Sequence, residues 1–133
     1  MLHLEADIQT GVISQIDTLF SLRWPSLMVP VTDKNGHIKK VAPLYTMRNE
    51  GRRTPQAGKR AKAQGVRSGV PDLFLAVTRG GMGGLYIELK APKGRTSTNQ
   101  AAWIKYLLGA GYGAYVCYSV DEAVTIILEY MDL

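Results

Sequence analysis

The stretch from residue 84 to residue 118 constrains the fold more than any other part of the chain. An apolar run, GLYIELK (84–90), precedes Ser97-Thr98-Asn99-Gln100, a capping box that opens a helix through Leu108. A second apolar run, YGAYVCY (112–118), follows the glycines Gly109 and Gly111 that end this helix. Two strands joined through a helix require a crossover, which sets them parallel in one sheet with the helix on its face. An all-helical bundle and a simple meander are both excluded.

The rest of the chain arranges itself around that unit. Residues 4–23 carry Ile8, Val12, Ile16, Leu19 and Phe20 at helical spacing, with Pro25 as the stop. Two apolar runs, 27–31 and 41–47, flank Asp33-Lys34-Asn35-Gly36 and predict a hairpin. Thr54-Pro55 caps a short helix ending at Gly65, rich in lysine and arginine with mostly alanines for an apolar face. DLFLAV (72–77) is a strand, joined to 84–90 by the flexible stretch 79–83, and Ser119-Val120-Asp121-Glu122 is a second capping box before a final helix. The expectation is one α/β domain over residues 1–133, with a mixed β-sheet flanked by helices.

Charge is distributed unevenly. Residues 39–67 hold nine of the sixteen basic residues and one of the eleven acids, Glu50, so a basic segment interrupts an otherwise slightly acidic domain. Such asymmetry suits a polyanion, nucleic acid first, although a solvated basic helix face would look the same. The single cysteine excludes an internal disulfide framework and fits a reducing, cytoplasmic compartment. No apolar run reaches the length of a membrane span, and acids near the N-terminus argue against a signal peptide. Cys117, in a buried strand, reads as a small core hydrophobe.

The chemistry gathers on the strands. Alternation along 84–90 places Glu88 and Lys90 on one face, about 6–7 Å apart. Asp72, after Pro71, opens the preceding strand, and antiparallel pairing through the 79–83 turn would bring it close to Glu88. Two converging carboxylates are the hard oxygen donors that Mg²⁺ or Mn²⁺ takes, leaving other positions to water and phosphate. A lysine alongside can orient a water or counter developing phosphorane charge. A surface ion pair and a turn-capping aspartate would give the same letters; the basic segment and the Pro-Asp spacing favour the metal reading.

Pro71-Asp72 followed by Glu88-Leu89-Lys90 is similar to the PD-(D/E)xK nuclease signature. The surrounding pieces are Glu5, Asn49-Glu50-Gly51, the string from Gly65 through Val66, Arg67, Ser68, Gly69, Val70 and Pro71 to Asp72, Ala91-Pro92, and Gln100 with Trp103. Together they resemble the VRR-NUC (virus-type replication-repair nuclease) domain. The resemblance implies a restriction-endonuclease-like fold with an α-β-β-β-α-β core.

It also implies roles. Asp72, Glu88 and the backbone carbonyl of Leu89 would hold Mg²⁺ or Mn²⁺, and Lys90 would be the catalytic lysine. Glu5 matches a first-helix glutamate that approaches the metal, or it is a first-turn acid favourable to the helix dipole. Gln100 borders the active site, or serves its capping box. Arg67, Arg52, Arg53, Lys59, Lys62, Lys93 and Arg95 are the candidate DNA contacts, with Arg67 on a Gly65–Gly69 loop whose amides could meet phosphate. Asn49 and Glu50 either line the cleft or fix the turn before the basic segment. Tyr86 shares the face of Glu88.

The expected activity is metal-dependent endonuclease cleavage of branched DNA such as Holliday junctions, by a homodimer from a bacterial or phage-infected cell, in repair, recombination or phage replication. Two symmetric cuts need two centres, which a C2 dimer supplies. The apolar last helix and the hairpin are the expected dimer surfaces. Flaps, nicked duplex and DNA ends are alternative substrates, and a non-catalytic nucleic-acid-binding module is the other class.

Overall fold

The computed structural model describes residues 4–47 and 54–133. Helix α1, Leu4–Arg23, runs the predicted length and buries Ile8, Val12, Ile16 and Phe20, one residue per turn along a single stripe. A short 3-10 turn, Pro25–Leu27, redirects the chain into β1 (Val29–Thr32), which pairs antiparallel with β2 (Ile38–Val41). The turn between them is held by Asp33 Oδ1, which accepts from the Asn35 and His37 N–H groups.

The return strand of this hairpin differs from the expected 41–47. The chain leaves the ribbon at Val41, and β3 (Leu44–Thr46) belongs instead to the main sheet. The physical reason is local and tertiary together. Pro43 cannot donate a ladder hydrogen bond, and the Ala42 N–H is drawn to Asp17 Oδ1 of α1 (2.8 Å).

Helix α2, Pro55–Ala63, starts at the predicted Thr54 cap, whose hydroxyl accepts from the Ala57 N–H. Ala61 is its one buried residue, as an alanine-faced basic helix implies. Then come β4 (Leu73–Leu75), β5 (Leu85–Leu89), α3 (Thr98–Gly109), β6 (Gly113–Cys117) and α4 (Val120–Met131). The main sheet runs β3-β4-β5-β6, antiparallel except for the β5–β6 pair. That pair is parallel, as the crossover through α3 requires. The fold is a mixed α/β architecture consistent with the restriction-endonuclease-like class.

One side of the sheet carries the core: Leu44, Leu73, Leu75, Leu85, Ile87 and Leu89 meet α1 and α4. Cys117 is fully buried in this core, where burial pushes its thiol up to about 12, with the Glu122 charge adding to the effect. The thiol is therefore a packing group.

Helix α4 corrects one expectation. Ala123, Val124, Ile127, Tyr130 and Met131 are buried in the chain's own core, and Ile126 and Leu128 pack against it. Its apolar face is already used and cannot be a free dimer surface. The hairpin is another matter: Val29, Val31 and Ile38 are exposed.

Candidate active site

Strand register decides which side chains converge. Leu73 pairs with Ile87 and Phe74 with Tyr86. Continuing this ladder by one residue sets Asp72 opposite Glu88, on the face away from the α1/α4 core. Both carboxylates are nevertheless buried, Asp72 at 5% and Glu88 at 2% exposure. Asp72 Oδ2 accepts from the Leu89 N–H (2.8 Å), which fixes it against the β5 backbone. Pro71, also fully buried, stiffens the entry to Asp72.

Glu88 has three neighbours of different character. Gln100 Nε2 donates to its Oε2 (2.9 Å), Lys90 Nζ lies 3.6 Å from the same oxygen, and Asp72 faces it across the ladder. Its other oxygen, Oε1, is buried and has no hydrogen-bond partner among the described residues. Burial first, and then repulsion from Asp72, raises the Glu88 carboxyl to about 7, against the opposing pull of Lys90. A buried carboxyl beside a second carboxyl is a place where a bound cation is favourable. Two carboxylates and a strand carbonyl are oxygen donors of the type Mg²⁺ and Mn²⁺ take, so these residues fit a divalent cation.

Gln100 satisfies both sequence readings with the two ends of one amide. Its Oε1 accepts from the Ser97 N–H (2.9 Å), completing the capping box, while its Nε2 reaches Glu88. Replacing Gln100 with alanine should therefore cost stability and activity together. We expect about 0.5–1 kcal/mol from the lost cap, read by denaturant titration, and roughly tenfold lower turnover, because Glu88 loses a donor that orients it. Unchanged turnover with lowered stability would reduce Gln100 to a cap.

Glu5 stands slightly apart from the carboxylate pair. Its Oε2 accepts from the Ala91 N–H (3.3 Å), tying α1 to the residue that follows Lys90. Among the described residues no group of three or more His, Cys, Asp or Glu is gathered for metal binding.

The cleft in front of the pair has a volume of about 600 Å³. It is lined by Met47, Gln64, Gly65, Val66, Arg67, Gly69, Val70, Pro71, Asp72, Glu88 and Gln100. The loop of the Gly-Val-Arg-Ser-Gly string thus forms one wall, with Arg67 on it. Gly69 (φ +91°) presses so closely on the start of α3 that a Cβ there would lie 2.6 Å from the Asn99 carbonyl carbon. Asn99 Nδ2 donates to Ser68 Oγ, and Trp103 Nε1 donates to the Ser68 carbonyl. Trp103, half-buried, is therefore a buttress of this loop, a role sequence spacing did not reveal.

The remaining candidates are more dispersed. Lys59 and Lys62 are exposed on α2, and Lys93 and Arg95 are exposed in the turn after Lys90, where Lys93 adopts a left-handed backbone (φ 68°). Arg52, Arg53, Asn49 and Glu50 lie outside the described residues.

Comparisons with known proteins point to one family. The VRR-NUC domain family model matches residues 43–121, more than half of the chain. A solved structure described as "VRR_NUC domain protein" is 26% identical, superposes with a TM-score of 0.69, and covers 98% of this chain and 89% of that one. Comparison with curated proteins gives no match. The chain therefore belongs to the VRR-NUC domain family and is a nuclease of the PD-(D/E)xK type.

Proposed function

We propose that the protein is an endonuclease that hydrolyses DNA phosphodiester bonds using Mg²⁺ or Mn²⁺, selectively on branched DNA such as four-way junctions, and works as a homodimer. The observation that carries the catalytic part is the buried Asp72–Glu88 pair, with one Glu88 oxygen unpartnered among the described residues, at a cleft walled by Arg67. Asp72, Glu88 and the Leu89 carbonyl are the groups to hold the cation. A divalent cation bound there supplies charge to a non-bridging phosphate oxygen and acidifies a nearby water.

The chain's own residues do the rest. Lys90, largely buried beside Glu88, holds its ammonium where a water or a leaving oxygen needs a positive neighbour. Gln100 keeps the Glu88 carboxylate turned into the cleft. Arg67, with the loop amides, grips the phosphate backbone, and Lys59, Lys62, Lys93, Arg95 and the basic pair Arg52 and Arg53 extend that grip through salt-sensitive contacts. Glu5 steadies the backbone just past Lys90 and stands next to the site if a second cation is taken. The paired-cut reading rests on the hairpin, since an exposed two-stranded ribbon with Val29, Val31 and Ile38 outward is marginal alone and gains from a second copy.

The deciding experiment incubates the protein with Mg²⁺ or Mn²⁺ on junction, flap, nicked, linear duplex and single-stranded DNA of matched sequence, beside Asp72→Ala. Junction cleavage that disappears with chelator and with Asp72→Ala supports the reading. Preference for flaps or ends replaces the junction assignment, and chelator-insensitive binding without cleavage leaves only the binding-module alternative. Sedimentation of an Ile38→Glu variant tests the dimer: wild-type that is already monomeric overturns the paired cut.

A further inference from the structure

Two residue-pairs along the ladder from the carboxylates, the same face of the sheet carries a row of aromatics. Tyr45 pairs with Phe74 and Phe74 with Tyr86, so three adjacent strands each contribute a ring at the same level. Tyr112 closes the row, 5.4 Å from Tyr86 and 6.2 Å from Phe74 between ring centroids. The Tyr45–Phe74 and Phe74–Tyr86 centroids are 5.9 and 4.5 Å apart. Alternation puts Phe74 on the face of Asp72 and Tyr86 on the face of Glu88, each two residues away, or about 6–7 Å.

This row is not part of the main core, which lies on the other face with α1 and α4. Helix α3 packs on the sheet at β6. Tyr45 is 51% exposed, and Phe74, Tyr86 and Tyr112 are half-buried. The rings are also held in place. Gly84 has no side chain, and a Cβ there would lie 2.4 Å from the Phe74 ring, so that ring rests on bare backbone.

We propose that the Tyr45–Phe74–Tyr86 row is a stacking platform for an unpaired base next to the scissile phosphate, and that it helps the site choose branched over continuous DNA. The inference rests on the nuclease reading, because it is continuity with the carboxylate cleft that commits the row to DNA. A base in intact duplex has both faces covered by its neighbours. Only a base splayed out at a branch, flap or single-stranded end offers a face to a ring, and stacking on aromatics is tolerant of sequence. The row therefore discriminates by pairing state, with no contact to base edges. Tyr45, at the exposed end, is the residue a base reaches first.

The test uses Tyr45, whose exposure makes its replacement compatible with folding; thermal melts of each variant verify this. A flap substrate carrying 2-aminopurine at the unpaired position beside the branch is titrated with protein in chelator, so that nothing is cut. Wild-type and Tyr45→Trp should quench the fluorescence, and Tyr45→Ala should quench it weakly. With Mg²⁺, Tyr45→Ala should lower kcat/KM on the flap roughly tenfold while fully paired duplex changes by less than about twofold.

Equal losses on flap and duplex, or quenching by Tyr45→Ala equal to wild-type, overturn the platform. Conversion of a dimer to a monomer by Tyr45→Ala also overturns it, since the row would then be covered by a second copy. If wild-type cuts nothing but quenching still depends on Tyr45, the platform stands and it is the nuclease reading that fails.

Discussion

Lys90→Ala should remove about 10²- to 10⁴-fold of the hydrolytic rate while leaving cation binding in place. The side chain is held against Glu88 Oε2 at 3.6 Å and is largely shielded from solvent. Its ammonium is in ion-pair contact with the buried carboxylate, so truncation removes a positive charge from the site. Single-turnover cleavage under saturating Mg²⁺ isolates the chemical step, and calorimetric titration of the cation checks that Asp72 and Glu88 still bind it. A rate within about fivefold of wild-type would make Lys90 a charge-balancing partner of Glu88 and nothing more. Lys90→Arg should not rescue, because a planar guanidinium cannot occupy the place of a compact ammonium.

The second large effect should come from Glu88→Gln, and it should split in two directions. Cation affinity and cleavage fall, because the neutral amide removes one of two carboxylates. Stability in chelator rises, because the folded protein no longer has to bury that charge. The pH dependence follows from a folded-state value near 7 against an ordinary carboxylate value of 4.5. Glu88 favours the fold fully below about pH 4.5, and that contribution is lost as pH rises through 7.

The stability difference between Glu88→Gln and wild-type should thus be small in acid and grow to about 1–3 kcal/mol above pH 8, reduced by loss of the Lys90 contact. Addition of Mg²⁺ should reverse the order by stabilising wild-type alone. Denaturant midpoints from pH 4.5 to 8.5, with and without Mg²⁺, measure this. A wild-type protein that gains stability across the same range in chelator would show that Glu88 is ionised and satisfied without a cation.

Much of the fold was legible because its signals are local. Ser97 with Gln100, Thr54 with Pro55, and the stripe from Ile8 to Phe20 set helix ends and faces by spacing alone. The crossover rule then fixed the parallel β5–β6 pair. Glu88 and Lys90 were legible as a same-face pair, and Pro71-Asp72 as its partner. What escaped depends on contacts distant in sequence. The hairpin's return strand was misjudged because Asp17, twenty-five residues away, takes the Ala42 N–H. Helix α4 looked available as a dimer surface because a sequence shows that a face is apolar, not what covers it. The aromatic row was invisible for the same reason: Tyr45, Phe74 and Tyr86 sit on three strands, and only register aligns them.

The two-ended amide of Gln100 has an implication for how this site can change over generations. Because one end closes a helix and the other holds a carboxylate, a substitution there is screened twice, once for folding and once for turnover. Glutamate would still cap α3 but would set a third negative charge against Glu88, and alanine would fail both demands. Drift at this position is therefore tightly confined. Stability selection acting on an ordinary helix start would preserve the geometry of the reaction centre even through periods when cleavage itself is not under selection.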